Sequence, residues 1–281
     1  MRSRAMMTIS SVLAVVLAAA HAVAAAPASA DDPKAKGREI TAQSIHSDNG
    51  FVSTQAQMIM RLTSESGDAS QRTLQMSVLE GPGDRTGDKS LVIFQTPIDV
   101  QGTVLLTHTQ ILAADDQWIY IPSIARVKRI SSANKSGPFL GSEFAFEDLT
   151  AQELGKYDYQ WLREEACPAP DAALRCNVVE RTPLYENSGY KRQISWIDTT
   201  DFQFRKVEYY NREDRLLKTL TLTGYAKHNG RFWRAHQLSM TNHQTNRGTT
   251  ISVGDIRFGA GLSEGDFTEQ SMERLSKQSG Q

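Results

Sequence analysis

Gln57-Met58-Ile59-Met60-Arg61-Leu62-Thr63 and Arg72-Thr73-Leu74-Gln75-Met76-Ser77-Val78-Leu79 decide the fold. In the first run Met58, Met60 and Leu62 alternate with Gln57, Ile59 and Arg61, and only Ile59 breaks the pattern. In the second, Leu74, Met76 and Val78 alternate with Thr73, Gln75 and Ser77. A period of two with one wet face is the signature of an antiparallel sheet. Further strand candidates lie at 90–95, 103–109, 117–121 and 125–131, and again at 157–163, 177–181, 190–197 and 204–210. Runs at 216–225, 231–242 and 249–258 finish the series. Turn signals separate many of them, among them Asn187-Ser188-Gly189, Asn211-Arg212-Glu213-Asp214, His228-Asn229-Gly230 and Asn246-Arg247-Gly248. About a dozen strands make the chain mainly β, of the α+β class. Helices are expected at Lys34–Ile45 behind Pro33, over Ser142–Gly155, and near Ser263–Leu275, where Ser263 and Asp266 form a loose capping box.

A sheet of that size must curl, close or stack on itself. Three short helices are too few to cover its apolar face densely. The expected architecture is therefore an incomplete, strongly curved antiparallel β-barrel, with helices as a lid over an apolar cavity. A two-sheet sandwich is the alternative, and it would fill its core with side chains.

The composition agrees with a globular protein: 281 residues, 40% hydrophobic and 22% charged. Residues 1–30 read as a secretory signal. Arg2 and Arg4 open it, an apolar run follows over 12–26, and Ala28-Ser29-Ala30 is a small-residue cleavage site. The alternative is an uncleaved membrane anchor. Cleavage after Ala30 leaves residues 31–281 as one domain in the periplasm, with Asp31 where a lipoprotein would carry cysteine. That chain holds 29 basic and 32 acidic side chains, a net charge of −3 that gives nucleic acid no basic surface. Cys167 and Cys176 are nine positions apart, and in an oxidising compartment such a pair is expected to form one structural disulfide.

The densest chemistry lies in residues 115–149, DDQWIYIPSIARVKRISSANKSGPFLGSEFAFEDL. Trp118 and Tyr120 share one strand face, as do Arg126 and Lys128. The loop 134–141 places Phe139 and Leu140 between two glycines and a proline. Apolar residues in such a loop fit a lid over a greasy cavity, or simply pack into the core. Arg126, Lys128, Arg129 and Lys135 form a basic run suited to anionic head groups or an acidic partner, or to a solvated strand face. Met58, Met60, Leu74 and Met76 suit an adaptable cavity wall as well as an ordinary core.

This stretch resembles the signature region of the outer-membrane lipoprotein-sorting protein family, the relatives of LolA. The resemblance implies a curved, incomplete barrel that binds lipid or lipoprotein acyl chains in the periplasm and carries them towards the outer membrane. It implies Met58, Met60, Leu74, Met76, Trp118, Tyr120, Phe139, Leu140 and Phe144 as cavity-lining candidates, and work beside an inner-membrane transporter of the RND/MMPL kind. Carriers of this type have an important arginine on an early strand. Arg61 and Arg72 both lie on early strands, and the role falls to neither on sequence.

Competing chemistries lack their residues. Asp88 interrupts the Gly-Lys pair of a phosphate loop in 83–90. No tight histidine or cysteine cluster offers a metal site, no cofactor is expected, and no G-x-S-x-G elbow is present. Glu147-Asp148 and Glu164-Glu165 read as solvated charge near turns. The alternative function is an envelope enzyme of sandwich or barrel type, for which no catalytic residue stands out. An outer-membrane barrel expects longer strands and an apolar closing strand rather than the polar tail at 276–281.

Overall fold

The computed structural model describes residues 32–82 and 86–279. The leader at 1–30 and its cleavage point lie outside the described residues. Thirteen strands form one antiparallel sheet: β1 (Ser53–Thr63), β2 (Ala69–Leu79), β3 (Thr86–Thr96), β4 (Val104–Gln110), β5 (Asp116–Ile121), β6 (Arg126–Arg129), β7 (Tyr157–Ala166), β8 (Arg175–Pro183), β9 (Tyr190–Asp198), β10 (Phe204–Asn211), β11 (Leu216–His228), β12 (Phe232–Asn242) and β13 (Arg247–Phe258). Two helices flank the series, α1 (Pro33–Ser47) and α2 (Glu269–Gln278), and neither is long and apolar enough to cross a membrane.

The strand order is β6-β5-β4-β3-β2-β1-β13-β12-β11-β10-β9-β8-β7. Every neighbouring pair but β1–β13 is consecutive in the chain, because short turns such as Asn229-Gly230 allow only antiparallel return. The sheet is open. Its edge strands, β6 and β7, are joined by residues 130–156, a segment containing four single turns of 3-10 helix.

Alternation assigns the two faces. Met60, Leu74, Val92, Phe94, Leu105, Val207, Tyr209, Leu220, Met240 and Ile251 form one buried cluster, here called the inner face. Leu91, Ile93, Val104, Leu106 and Tyr120 point the other way and are covered by Phe267 and Met272. Thr268 caps α2 by accepting from the Ser271 amide at 3.1 Å, which starts the helix where its apolar stripe can seat on that outer face. Helix α1 lies on the inner side. Its Ile40 packs on Tyr159, Val179 and Ile197, and Val179 is in register through Ser195 with Val207. Asp32 caps α1, and Pro33 occupies its first turn. Gly37 lets the helix touch β7, since a Cβ there would stand 2.7 Å from the Trp161 amide nitrogen.

Two expectations about the helices are corrected. The helices do not together form a lid on one side, because α2 covers the outer face. The helix expected over Ser142–Gly155 is absent: that stretch contains two separate 3-10 turns, Phe146–Leu149 and Leu154–Lys156. Tertiary bonds occupy the backbone groups that an α-helix would have needed. The Phe146 amide donates to the Gly137 carbonyl at 3.2 Å, the Glu147 amide to the Lys135 carbonyl at 3.0 Å, and the Ala145 amide to the Asp148 carboxylate at 2.7 Å. Cys167 and Cys176 form a disulfide that staples the β7–β8 turn.

Candidate functional site

Residues 135–149 sit on the inner face and fill it. Pro138 bridges Ala145, the Phe139 amide donates to the Phe144 carbonyl at 2.7 Å, and the turn between them is tight. Leu140 takes a left-handed φ of 47°, and Gly141 follows at 77°. The turn drives Phe139 inward to 1% exposure, its ring 5.6 Å from that of Phe94 and 5.4 Å from that of Phe146. Phe144 is buried beside it. The interior expected to stand open as an apolar cavity is thus occupied by the chain's own phenylalanines, so the bland reading of Phe139, packing into the core, describes this state.

Polar anchors hold the segment at both ends. Arg72, on the inner face of β2, donates from Nη1 to the Leu140 carbonyl at 2.6 Å, with its guanidinium 5.9 Å over the Phe94 ring. Burial pushes the Arg72 guanidinium below its usual range, and Asp99 opposes that shift. Arg61 is exposed, so Arg72 is the early-strand arginine that meets the loop. Lys218 of β11 donates to the Asp148 carboxylate at 2.6 Å and to the Glu143 carbonyl at 2.9 Å. Asp148 also accepts from the Tyr190 hydroxyl at 2.8 Å. Its side chain is 3% exposed and that of Lys218 is 5% exposed. Glu147 accepts from the Tyr185 and Ser188 hydroxyls and the Gly189 amide. Burial, then the neighbouring Asp148 charge, push the Glu147 carboxyl up. Gln117 of β5 donates to the Phe146 carbonyl at 2.9 Å. Reading Glu147-Asp148 as solvated charge is therefore corrected: both are anchors, and their long-range partners lie 38–70 residues away in sequence.

The structure gathers seven of the nine lining candidates into this cluster: Met58, Met60, Leu74, Met76, Phe139, Leu140 and Phe144. Trp118 and Tyr120 lie on the outer face under α2 instead. Among the basic candidates, Arg126, Lys128 and Arg129 are exposed on edge strand β6, with Arg129 ion-paired to Asp116. Lys135 is buried and donates to the Asp115 carbonyl, which withdraws it from any head group outside. No cluster of three or more metal-ligating side chains occurs among the described residues. Sequence reading missed Lys218, Tyr190 and Gln117; for Lys218 and Gln117 the available signal was a polar residue beside apolar inner neighbours, Leu220 and Ile119.

Known proteins carry the same build. A family model described as "Uncharacterized protein" matches residues 86–274. A comparison with curated proteins finds no match. Among solved structures, a domain from Vibrio parahaemolyticus assigned to outer membrane lipoprotein sorting is 43% identical with a TM-score of 0.82. That alignment covers 86% of this chain and 100% of the other. A DUF1329 family protein from Desulfovibrio piger is 26% identical with a TM-score of 0.79, over 86% of this chain and 99% of that one. A LolA superfamily protein from Nitrosomonas europaea, at 22% identity and a TM-score of 0.65 over 83% and 98% of the two chains, shares the fold. With 43% identity across a whole sorting domain, the chain belongs to the outer-membrane lipoprotein-sorting protein family.

Proposed function

We propose that the protein is a non-enzymatic periplasmic carrier, that lipid or lipoprotein acyl chains bind along the inner face, and that residues 138–149 occupy that place when cargo is absent. The observation that carries this reading is the segment itself: three phenylalanines fill the interior from a loop rather than from the sheet. The contacts on either side of it support a strongly curved sheet. Gln117 and Tyr190 bind residues only two apart, Phe146 and Asp148, yet β5 and β9 stand nine places apart in the strand order. In a flat sheet those strands would lie roughly 43 Å from each other. A curved wall with a removable filling gives an acyl chain an apolar trough once the filling swings out.

Each methylene moved from water into that trough gains about 0.8 kcal/mol, so a palmitoyl-sized chain gains roughly 10 kcal/mol before ordering costs. Part of that gain replaces the contacts of Phe139, Phe144 and Phe146. A hold of this kind also lets go when the segment returns, which suits handover to a partner, with an RND/MMPL transporter on the membrane side as the reading extends. The disulfide fits an oxidising compartment such as the periplasm.

The test is mass spectrometry of an organic extract of the purified protein, combined with uptake of a fluorescent fatty acid. Bound lipid or saturable uptake is expected. The absence of both sinks the carrier.

A further inference from the structure

Among the described residues, three buried cations pair with carboxylates. Lys218 holds Asp148, Lys156 holds Asp115 and Arg205 holds Asp198. Lys135 instead donates to the Asp115 backbone carbonyl, and Arg181 of β8 has neither a carboxylate nor a backbone carbonyl. Arg181 is 5% exposed, its Nε donates to the neutral Gln193 amide at 2.7 Å, and no ion pair to it occurs among the described residues. Its Nη1 has no hydrogen-bond partner, and neither has the Oγ of Ser195, itself 2% exposed. Leaving a guanidinium buried and unpaired is costly, so such a group calls for a reason.

The two orphans look the same way. Arg181 is in register with Gln193, and Val179 with Ser195, so the side chains of Arg181 and Ser195 project from one face of neighbouring strands. Gln193 and Ser195 are in register with Tyr209 and Val207, which belong to the inner cluster. The rings of Tyr157 and Phe204 lie 4.9 and 5.9 Å from the Arg181 guanidinium. Tyr157 hydrogen-bonds Tyr185 at 3.4 Å, and Tyr185 donates to Glu147 of the filling segment at 3.0 Å. The ring over Arg181 is thus tethered to the same segment that fills the trough, and freeing one loosens the other.

We propose that Arg181, with Ser195 beside it, is the seat for the anionic head group, carboxylate or phosphate, of an amphiphile whose chain lies along the inner face. The proposal rests on the carrier reading above and names the cargo's chemical class. A planar guanidinium presents two N–H groups to such an oxyanion, and the serine hydroxyl adds a third donor. Aromatic walls around the site keep water away and strengthen the pairing.

The experiment uses the mature chain at pH 8 and measures competition by palmitate, hexadecyl phosphate and hexadecanol against a fluorescent acyl probe. The wild type is expected to bind at least one of the anions about 10- to 100-fold more tightly than the alcohol, the range of a charge-assisted hydrogen bond. Whether palmitate or hexadecyl phosphate leads identifies a fatty acid or a phosphorylated lipid as the source. Arg181→Met should erase that preference while leaving hexadecanol within about twofold, and Arg181→Lys should keep part of it. Equal binding of anion and alcohol by the wild type overturns the proposal and leaves the carrier standing. So does a preference that survives in Arg181→Met. Binding of none of the three compounds overturns the carrier reading itself.

Discussion

Replacing Arg72 with methionine separates a removable filling from a fixed core. Arg72 holds the loop by one bond, Nη1 to the Leu140 carbonyl at 2.6 Å, at a half-buried position. A hydrogen bond from a charged donor contributes about 1.5–3 kcal/mol, and partial solvent access argues for the low end, about 1.5 kcal/mol. Methionine keeps the apolar contact with Phe94 and loses the donor. If the segment must leave before an acyl chain enters, apparent affinity scales with the open fraction. A loss of about 1.5 kcal/mol raises that fraction roughly tenfold and tightens apparent binding by the same factor. The same loss lowers the melting temperature by about 3–6 °C in a chain of this size. Stability and affinity should therefore move in opposite directions. The assay is a fluorescent fatty acid titration beside a thermal melt. A fall in melting temperature with unchanged or weaker binding would refute the reasoning, because it would mean that residues 138–149 are core and nothing displaces them.

Lys218→Met strands the Asp148 carboxylate in the interior and should cost about 3–5 kcal/mol in chemical denaturation, with Asp148→Asn in the same chain recovering part of the loss. Glu147 gives a pH dependence of defined sign. Its carboxyl is raised by burial and by Asp148, so its contribution is fully present below about pH 4.5 and is lost as pH rises through the raised value. The stability of the wild type minus that of Glu147→Gln should fall with rising pH over that window, and a flat or rising difference contradicts the assignment. Gly37→Ala pushes a methyl to 2.7 Å from Trp161 N and 2.9 Å from Gln160 C, both backbone atoms, and should cost about 1–3 kcal/mol. Gly265→Ala, whose Cβ would meet only the Ser263 hydroxyl at 3.8 Å, is the control and should unfold at the wild-type denaturant concentration. Reduction of the Cys167–Cys176 disulfide frees a loop of about ten residues and should lower stability by roughly 2–3 kcal/mol in a reducing melt.

Much of the fold was legible because strands announce themselves locally. Each of the thirteen candidate runs became a strand, and short polar turns left the meander little choice of order. Ile59, the residue out of pattern in its run, points away from the inner cluster and is 44% exposed, as the alternation required. The candidate site was legible in part. Met58, Met60, Leu74 and Met76 are adjacent across a register that their own alternation sets. Trp118 and Tyr120 share a face as expected, but alternation does not say which face of the sheet is inner. That choice came from α2, which arrives on the outer side from the far end of the chain.

The amino-acid sequence by itself determined that this is a β-rich, disulfide-stapled member of a lipoprotein-sorting family, since alternation, turn chemistry and the 115–149 signature are all local properties. Tertiary structure alone decided the rest. It chose Arg72 over Arg61, buried the side chains of Asp148 and Lys135, half-buried Glu147, filled the interior with Phe139, and left Arg181 without a counter-ion. The physical reason is range. Whether a charge is buried depends on whether a partner such as Lys218, 70 residues from Asp148, is brought within hydrogen-bond distance, and only the folded sheet sets that distance.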